Sequence, residues 1–286
     1  MEGVRAMRGM RVLTLNIWGR QGAWNQRRSV LAEGLRDLDP DIVAFQEAIV
    51  GDGYDQVADL LGSGFHVVHQ GVGLLRDGNH GASIASRWPL REVREVDLHL
   101  TERTEDYPCA ALVAEVLAPE PLGPLLFVSF GPSHQLSVEL ERELQAVVTA
   151  RLVEEMVGND NRHVVLAGDF NADVDAASVR FWSGQQSLRG TSVCYRDAWE
   201  EAHPGEPGHT FTPRNPLVHE NKPALRRGRR MDYVFVRCND TLYGPSLDIT
   251  SCKRVFDEPV AGVWASDHFG VVADLSPQTP REPEAQ

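Results

Sequence analysis

Between His163 and Asn171 an uninterrupted apolar run, Val164-Val165-Leu166-Ala167, gives way to Gly168, Asp169, Phe170 and Asn171. A carboxylate and a carboxamide two residues apart, just past a strand apolar enough to be buried on both faces, stand where α/β sheets place their chemistry. A turn that used Asp and Asn for its own backbone hydrogen bonds would read the same way. Repetition separates the two. Asn16 closes the apolar stretch 11–17, Glu47 follows Ile42-Val43-Ala44-Phe45, and Asp267-His268 precedes the run 269–275. His134 and Asp232 mark two further strand ends. Core strands do not need carboxylates at one edge, so these groups read together as one site.

The residue types point to phosphorus. Glu47, Asp267 and Asn16 are hard oxygen donors with no Cys/His cluster near them in sequence, which suits Mg²⁺. Asn171, His134 and His268 could neutralise charge that develops as a water attacks a phosphoester in line. Asp232 and His268 make chemical sense as a pair, the carboxylate fixing the tautomer and favouring imidazolium. Asp232 could equally pair with Arg229 or Arg230.

Positioning these groups falls to many short elements. The spacing predicts a helix over 24–38, with Val30, Leu31, Leu35 and Leu38 inward, Arg27 and Arg28 outward, and Asp39-Pro40 as its stop. A short helix near 55–62, a strand over 65–69 and a turn-strand-stop over 79–89 follow. Residues 91–100 and 109–118 read as antiparallel neighbours, and 125–130 as another strand. The clearest helix spans 137–157, with Leu140, Leu144, Val147, Val148, Leu152, Met156 and Val157 as its apolar face and Ser137 in N-cap position. Beyond Asp173 come a short helix over 176–182, a capped turn region over 193–202 and a loop over 205–223. Strands at 231–236, within 239–256 and at 269–275 complete the chain. Strands outnumber helices and helices do not follow every strand. The description that fits is two mixed sheets packed as a sandwich with helices outside. No linker interrupts the chain before residue 276, so one domain is expected over 10–276. Residues 1–9 and 277–286 are expected to be disordered.

Composition narrows the classes. The 286 residues, 42% of them hydrophobic, can bury a large core, and no 18-residue apolar run exists to cross a membrane as a helix. The N-terminus lacks a signal-peptide pattern, which makes a cytoplasmic location the expectation. Four scattered cysteines build no disulfide scaffold. A net charge of −13 argues against non-specific coating of nucleic acid, although 225–230 concentrates arginine locally.

Taken together, LTLNIWG, AFQE, NHGASIASRWPL, the strand and helix around SFGPSHQLSVELERELQA, LAGDFN, RRMDYVFV and ASDHFG resemble the endonuclease/exonuclease/phosphatase (DNase I-like) superfamily, in its order, over residues 11–275. The resemblance implies a four-layer α/β sandwich, α+β in class, with two mixed, mainly antiparallel sheets face to face. It implies hydrolysis of a phosphoester by an activated water, with Mg²⁺ as cofactor and Mn²⁺ able to substitute. Glu47 is then the metal ligand, Asp267 a further metal-side carboxylate and Asn16 a partner to metal and phosphate. Asp169 orients or deprotonates the water, Asn171 and His134 meet the phosphate, and Asp232 orients His268. Arg227 and Arg229 are candidate substrate contacts, and Arg87 is structural. Trp18 stands where the exonuclease III-like branch carries an acid, and Gly131-Pro132-Ser133-His134 replaces the usual Asn-Thr/Val-His. The expected substrate is a phosphorylated small molecule or lipid head group. DNA or RNA is the alternative substrate, and a non-catalytic phosphate-binding module the alternative of another class. A monomer is expected.

Overall fold

Met10–Asn16 is buried at every position but Arg11 and forms β1, paired parallel with β2 (Ile42–Gly51) on one side and antiparallel with the last strand on the other. This is a computed structural model, described for residues 9–278 apart from 52, 73–79, 106 and 161. β1 and β2 share one sheet with β3 (Tyr54–Asp55), β4 (His66–His69), β5 (His80–Ser86), β13 (Leu247–Val255) and β14 (Gly270–Pro277). The middle of the chain builds the second: β6 (Leu90–Asp97), β7 (Ala110–Val116), β8 (Leu125–Gly131), β9 (His163–Asp169), β10 (Tyr195–Asp197), β11 (Asp232–Asn239) and β12 (Gly244–Pro245). Each sheet has seven strands, and among the described residues the parallel pairs are β1 with β2 and β8 with β9.

Three apolar clusters hold the layers together. Val12, Ile42, Ile84, Phe127, Val165 and Val234 interleave between the sheets. Leu13, Phe45 and Val272 on the outer face of the first sheet receive Leu31 and Leu35 of α1 (Trp24–Leu38) and Val57 of α2 (Gln56–Leu61). Val128, Leu166 and Phe235 on the other outer face receive α3 (Glu139–Val157) and α4 (Ala177–Trp182). The result is the expected helix–sheet–sheet–helix sandwich. The C-terminal ends of β1 and β9 and the middle of β2, at Gln46, come to one edge, where the antiparallel β11 and β14 begin. No helix among the described residues is long and apolar enough to cross a membrane.

Several local expectations change. Arg27 does not face outward but is 1% exposed, donating to the carbonyls of Ala265 (3.0 Å), Gln21 (2.7 Å) and Ile17. In α3 the buried side carries Glu141, Arg142, Gln145 and Thr149, whereas Leu140 is half exposed. Its N-cap is Val138, which makes no side-chain cap; the Ser137 carbonyl and hydroxyl accept from Arg103 instead. The 193–202 region contains β10 and α5 (Ala198–Ala202), and the 205–223 loop contains α6 (Pro216–Asn221). Pro277 is not tail but the last residue of β14, opposite Leu247. Arg87 is structural as expected, gripping Asp39 and the Pro40 carbonyl. Asn79, residues 1–8 and the tail from 279 lie outside the described residues.

Candidate active site

At the shared edge the backbone leaves ordinary strand geometry at the residues that matter. The β2–β5 ladder breaks between Phe45 and Ala48, and Glu47 sits in that irregularity with φ 56°. A bulge re-aims the side chain it carries, and a non-glycine in this conformation persists only where the surroundings hold it. Asn171 is also left-handed, φ 54°, its amide N–H on Asp169 Oδ1 at 3.0 Å and its side chain on the Pro132 carbonyl at 3.0 Å. Gly168 is required by close approach: a Cβ there would lie 2.1 Å from the Phe130 carbonyl oxygen of β8.

Asn16 joins the two sheets. Its side-chain NH₂ donates to Glu47 Oε1 (3.0 Å) on its own sheet and to Asp169 Oδ2 (3.1 Å) on the other. Asp232 lies directly opposite Asp169 in the β9–β11 ladder, an unfavourable placing for like charges. His268 resolves it. Its Nδ1 meets Asp232 Oδ2 at 2.9 Å and its Nε2 lies 3.8 Å from Asp169 Oδ2. Burial pushes the imidazole toward neutrality, but the Asp232 and Asp169 charges outweigh it and hold the ring protonated well above its ordinary range. Asp169 itself is pushed up to about 7, chiefly by burial, with His268 opposing and Asp232 adding. Asp232 Oδ1 is buried and accepts no hydrogen bond among the described residues, so His268 carries that carboxylate's compensation.

The remaining expected residues fall around this centre. Asp267 is pushed up to about 6 by burial, with the Glu47 charge adding and His268 opposing. Ser266 donates to the Asn16 carbonyl (2.7 Å), and Asn215 to the carbonyls of Ser266 (2.8 Å) and Asp267 (3.3 Å), which fixes the 266–268 turn against β1. His134 is exposed outside the Asp169–Asp232–His268 group, its ring 4.2 Å from that of Tyr107. Arg227 is exposed, and Arg229 is bound to Asp173 at 2.8 Å. Arg230 is buried against Asp197 at 2.5 Å, so neither arginine takes Asp232 from His268.

Sequence reasoning missed four participants: Tyr107, Arg27, Thr210 and Asn215. The Tyr107 phenol donates to Glu47 Oε1 at 2.7 Å, and burial with the Glu47 charge keeps it protonated. Thr210 accepts from the N–H groups of Met231 and Asp232 at 3.0 and 3.2 Å, and the Phe211 ring lies 4.8 Å from His268. Only Asn215-Pro216 left a readable signal, a side-chain cap followed by proline at the first helical position.

The donor chemistry fits a hard divalent cation at Glu47 and Asp267. Both are carboxylates, the Glu47 charge raises the cost of ionising Asp267, and Glu47 Oε2 accepts nothing among the described residues. Asp169, Asp232 and His268 also place three ligand atoms within 4.8 Å of one another. There, however, the imidazolium already supplies positive charge.

Two mixed sheets with an acid-lined edge of this kind define a DNase I-like hydrolase fold. The chain belongs to the Endonuclease/Exonuclease/phosphatase family, whose model matches residues 13–268 and whose members hydrolyse phosphoester bonds in a metal-dependent way. Among solved structures it is similar to humanized D. rerio TDP2 (19% identity, TM-score 0.69, covering 93% of this chain and 98% of that one). It is similar too to D. rerio TDP2 complexed with single strand DNA product (20%, 0.70, 93% and 98%). A third is the human Nocturnin catalytic domain with bound sulfate (17%, 0.70, 95% and 96%). These identities establish the fold they share. No curated protein sequence matches the chain.

Proposed function

We propose that this chain is a Mg²⁺-dependent phosphodiesterase that works by in-line attack of a water held at Asp169. The observation that carries the reading is the position of Asp169, 3.1 Å from Asn16 Nδ2 and 3.8 Å from His268 Nε2, between the metal-side and phosphate-side groups. With a pKa near 7 it can accept the water's proton at neutral pH. His268 and Asn171 hold phosphoryl oxygens, Asp232 keeps His268 charged, and His134 meets the substrate from its exposed loop. Glu47 and Asp267, with Asn16 beside them, would hold Mg²⁺ or Mn²⁺, which supplies a Lewis acid at a phosphoryl oxygen. Because Glu47, Asp169 and His268 are all in place, a purely phosphate-binding module is the poorer reading. The four free cysteines suit a reducing compartment, consistent with action in the cytoplasm.

Charge favours a diester over a monoester. Glu47, Asp169, Asp232 and Asp267 face His268, the buried Arg27 and one divalent ion, a set that comes to zero. A diester adds one negative charge to it and a monoester close to two, and a low-dielectric site penalises the second charge more. Purified protein should therefore hydrolyse bis(p-nitrophenyl) phosphate faster than p-nitrophenyl phosphate, and lose that activity in EDTA. Preference for the monoester, or full activity in metal-stripped buffer, would overturn the proposal.

A second reading of the substrate, the end of a nucleic-acid strand in place of a small ester or lipid head group, rests on Arg226 and Arg227. Both are exposed and form no ion pair among the described residues, on the loop leading to Asp232. Backbone phosphates are what such arginines grip.

A further inference from the structure

Among the described residues Glu47 is reached by two hydrogen-bond donors, and they are not equivalent. Asn16 reaches the same Oε1 at 3.0 Å, but its NH₂ is divided between Glu47 and Asp169, so its hold on that oxygen is shared with a second carboxylate. The Tyr107 hydroxyl donates to Glu47 Oε1 alone, at the shorter distance of 2.7 Å. A glutamate at a bulge has three side-chain torsions to immobilise, and a donor that holds one oxygen in place lowers the entropy lost when the other takes a cation.

Tyr107 is itself held from the opposite sheet. It lies in the loop between β6 and β7, where Leu98 N–H meets the Cys109 carbonyl at 3.1 Å and His99 Nε2 meets the Tyr107 carbonyl at 2.8 Å. Gln145 of α3 donates to the Leu98 carbonyl at 2.7 Å, and Arg103 reaches Glu141 at 2.9 Å. A chain of hydrogen bonds thus links α3, through Leu98, His99 and Tyr107, to one oxygen of a carboxylate on the other sheet.

We infer that Tyr107 is the positioning residue of the metal site: it occupies Glu47 Oε1 and turns Oε2 toward the cation. The inference rests on the reading of Glu47 as metal ligand given above. Outer partners of this kind typically contribute 10- to 100-fold in metal affinity. Tyr107→Phe keeps the ring, its packing and its contact with His134, and removes only the donor.

Mn²⁺ binding to substrate-free protein, followed by isothermal titration and by the electron paramagnetic resonance signal of free Mn²⁺, tests this directly. Expected are saturable binding by the wild type, its loss in Glu47→Gln, and a dissociation constant raised at least about 10-fold in Tyr107→Phe. Melting in EDTA should be nearly unchanged by Tyr107→Phe. An unchanged Mn²⁺ midpoint in Tyr107→Phe, whether or not its melting temperature drops, would overturn the inference and leave Glu47 as ligand. Absence of wild-type binding, or wild-type affinity in Glu47→Gln, would overturn the reading of Glu47 and the inference with it.

Discussion

Asp232 has one oxygen on His268 and the other buried without a hydrogen-bond partner among the described residues, which makes the energetics of this pair one-sided. Asp232→Asn keeps the shape and removes the charge that outweighs burial of the imidazole. The His268 pKa, now raised, should fall. If the phosphate contact requires imidazolium, activity is lost as pH rises through that pKa, so the alkaline limb of the pH–rate profile should move to lower pH in the variant. At neutral pH the loss in kcat should be about 10²–10³, as for removal of a preorganised electrostatic partner. His268→Ala should cost at least as much, and the double variant little more, because members of one unit are not additive. Fully additive losses with an unmoved alkaline limb would show that the two residues do not act together. The pair itself was legible in the sequence through the family resemblance, with which the chemistry of a carboxylate and an imidazole at two strand ends agrees. Its choice over Arg229 or Arg230 was not, because that depends on Asp173 and Asp197 claiming the arginines first.

Strands, more than helices, set the tolerance of this site to substitution. β8 and β9 run parallel and so close at Gly168 that an added methyl would meet the Phe130 carbonyl at 2.1 Å, with φ at +153°. Gly168→Ala should combine overpacking of about 1–3 kcal/mol with backbone strain of similar order. Urea unfolding should show a loss on the order of 3 kcal/mol or more, and a loss under about 1 kcal/mol would mean that β9 shifts freely. The polar ends of β1 and β9 could be read from sequence because an apolar strand gives carboxylates no other employment, whereas Glu47, expected at a strand end, lies at a break within β2, which runs on to Gly51. The faces of α1 and α3 could not be read completely. Arg27 and Gln145 are polar yet buried, and what receives them is a set of loop and strand-end carbonyls, at 17 and 21 just before α1 and at 265 and 98 far along the chain. Hydrophobic periodicity measures apolar surface and is blind to a guanidinium that satisfies loop carbonyls. Tyr107 was hidden for the same reason, since its partner lies on the opposite sheet.

Across the whole molecule the charge is −13, so the long-range field repels a polyanion while the loop before Asp232 attracts one. The arginines of that loop divide sharply by environment. Arg229 and Arg230 spend their charge on Asp173 and Asp197, one half-buried and one buried. Arg226 and Arg227 stay exposed and can meet phosphates, which makes them the groups to test for a nucleic-acid substrate. Replacing both by alanine should raise KM for a single-stranded oligonucleotide more than it lowers kcat, since neither lies among the groups proposed to meet the reacting phosphorus. Each phosphate neutralised on a single strand adds about 0.7 to the slope of log affinity against log salt. Without the two guanidinium groups, the salt dependence of kcat/KM should flatten by about 1.4. Bis(p-nitrophenyl) phosphate, which carries one phosphate and no second to be gripped, should be hydrolysed by the double variant as by the wild type. If the oligonucleotide slope is unchanged, the two arginines only solvate the loop. The net charge would then leave a small diester or lipid head group as the better substrate class, because neither needs a second phosphate to be gripped.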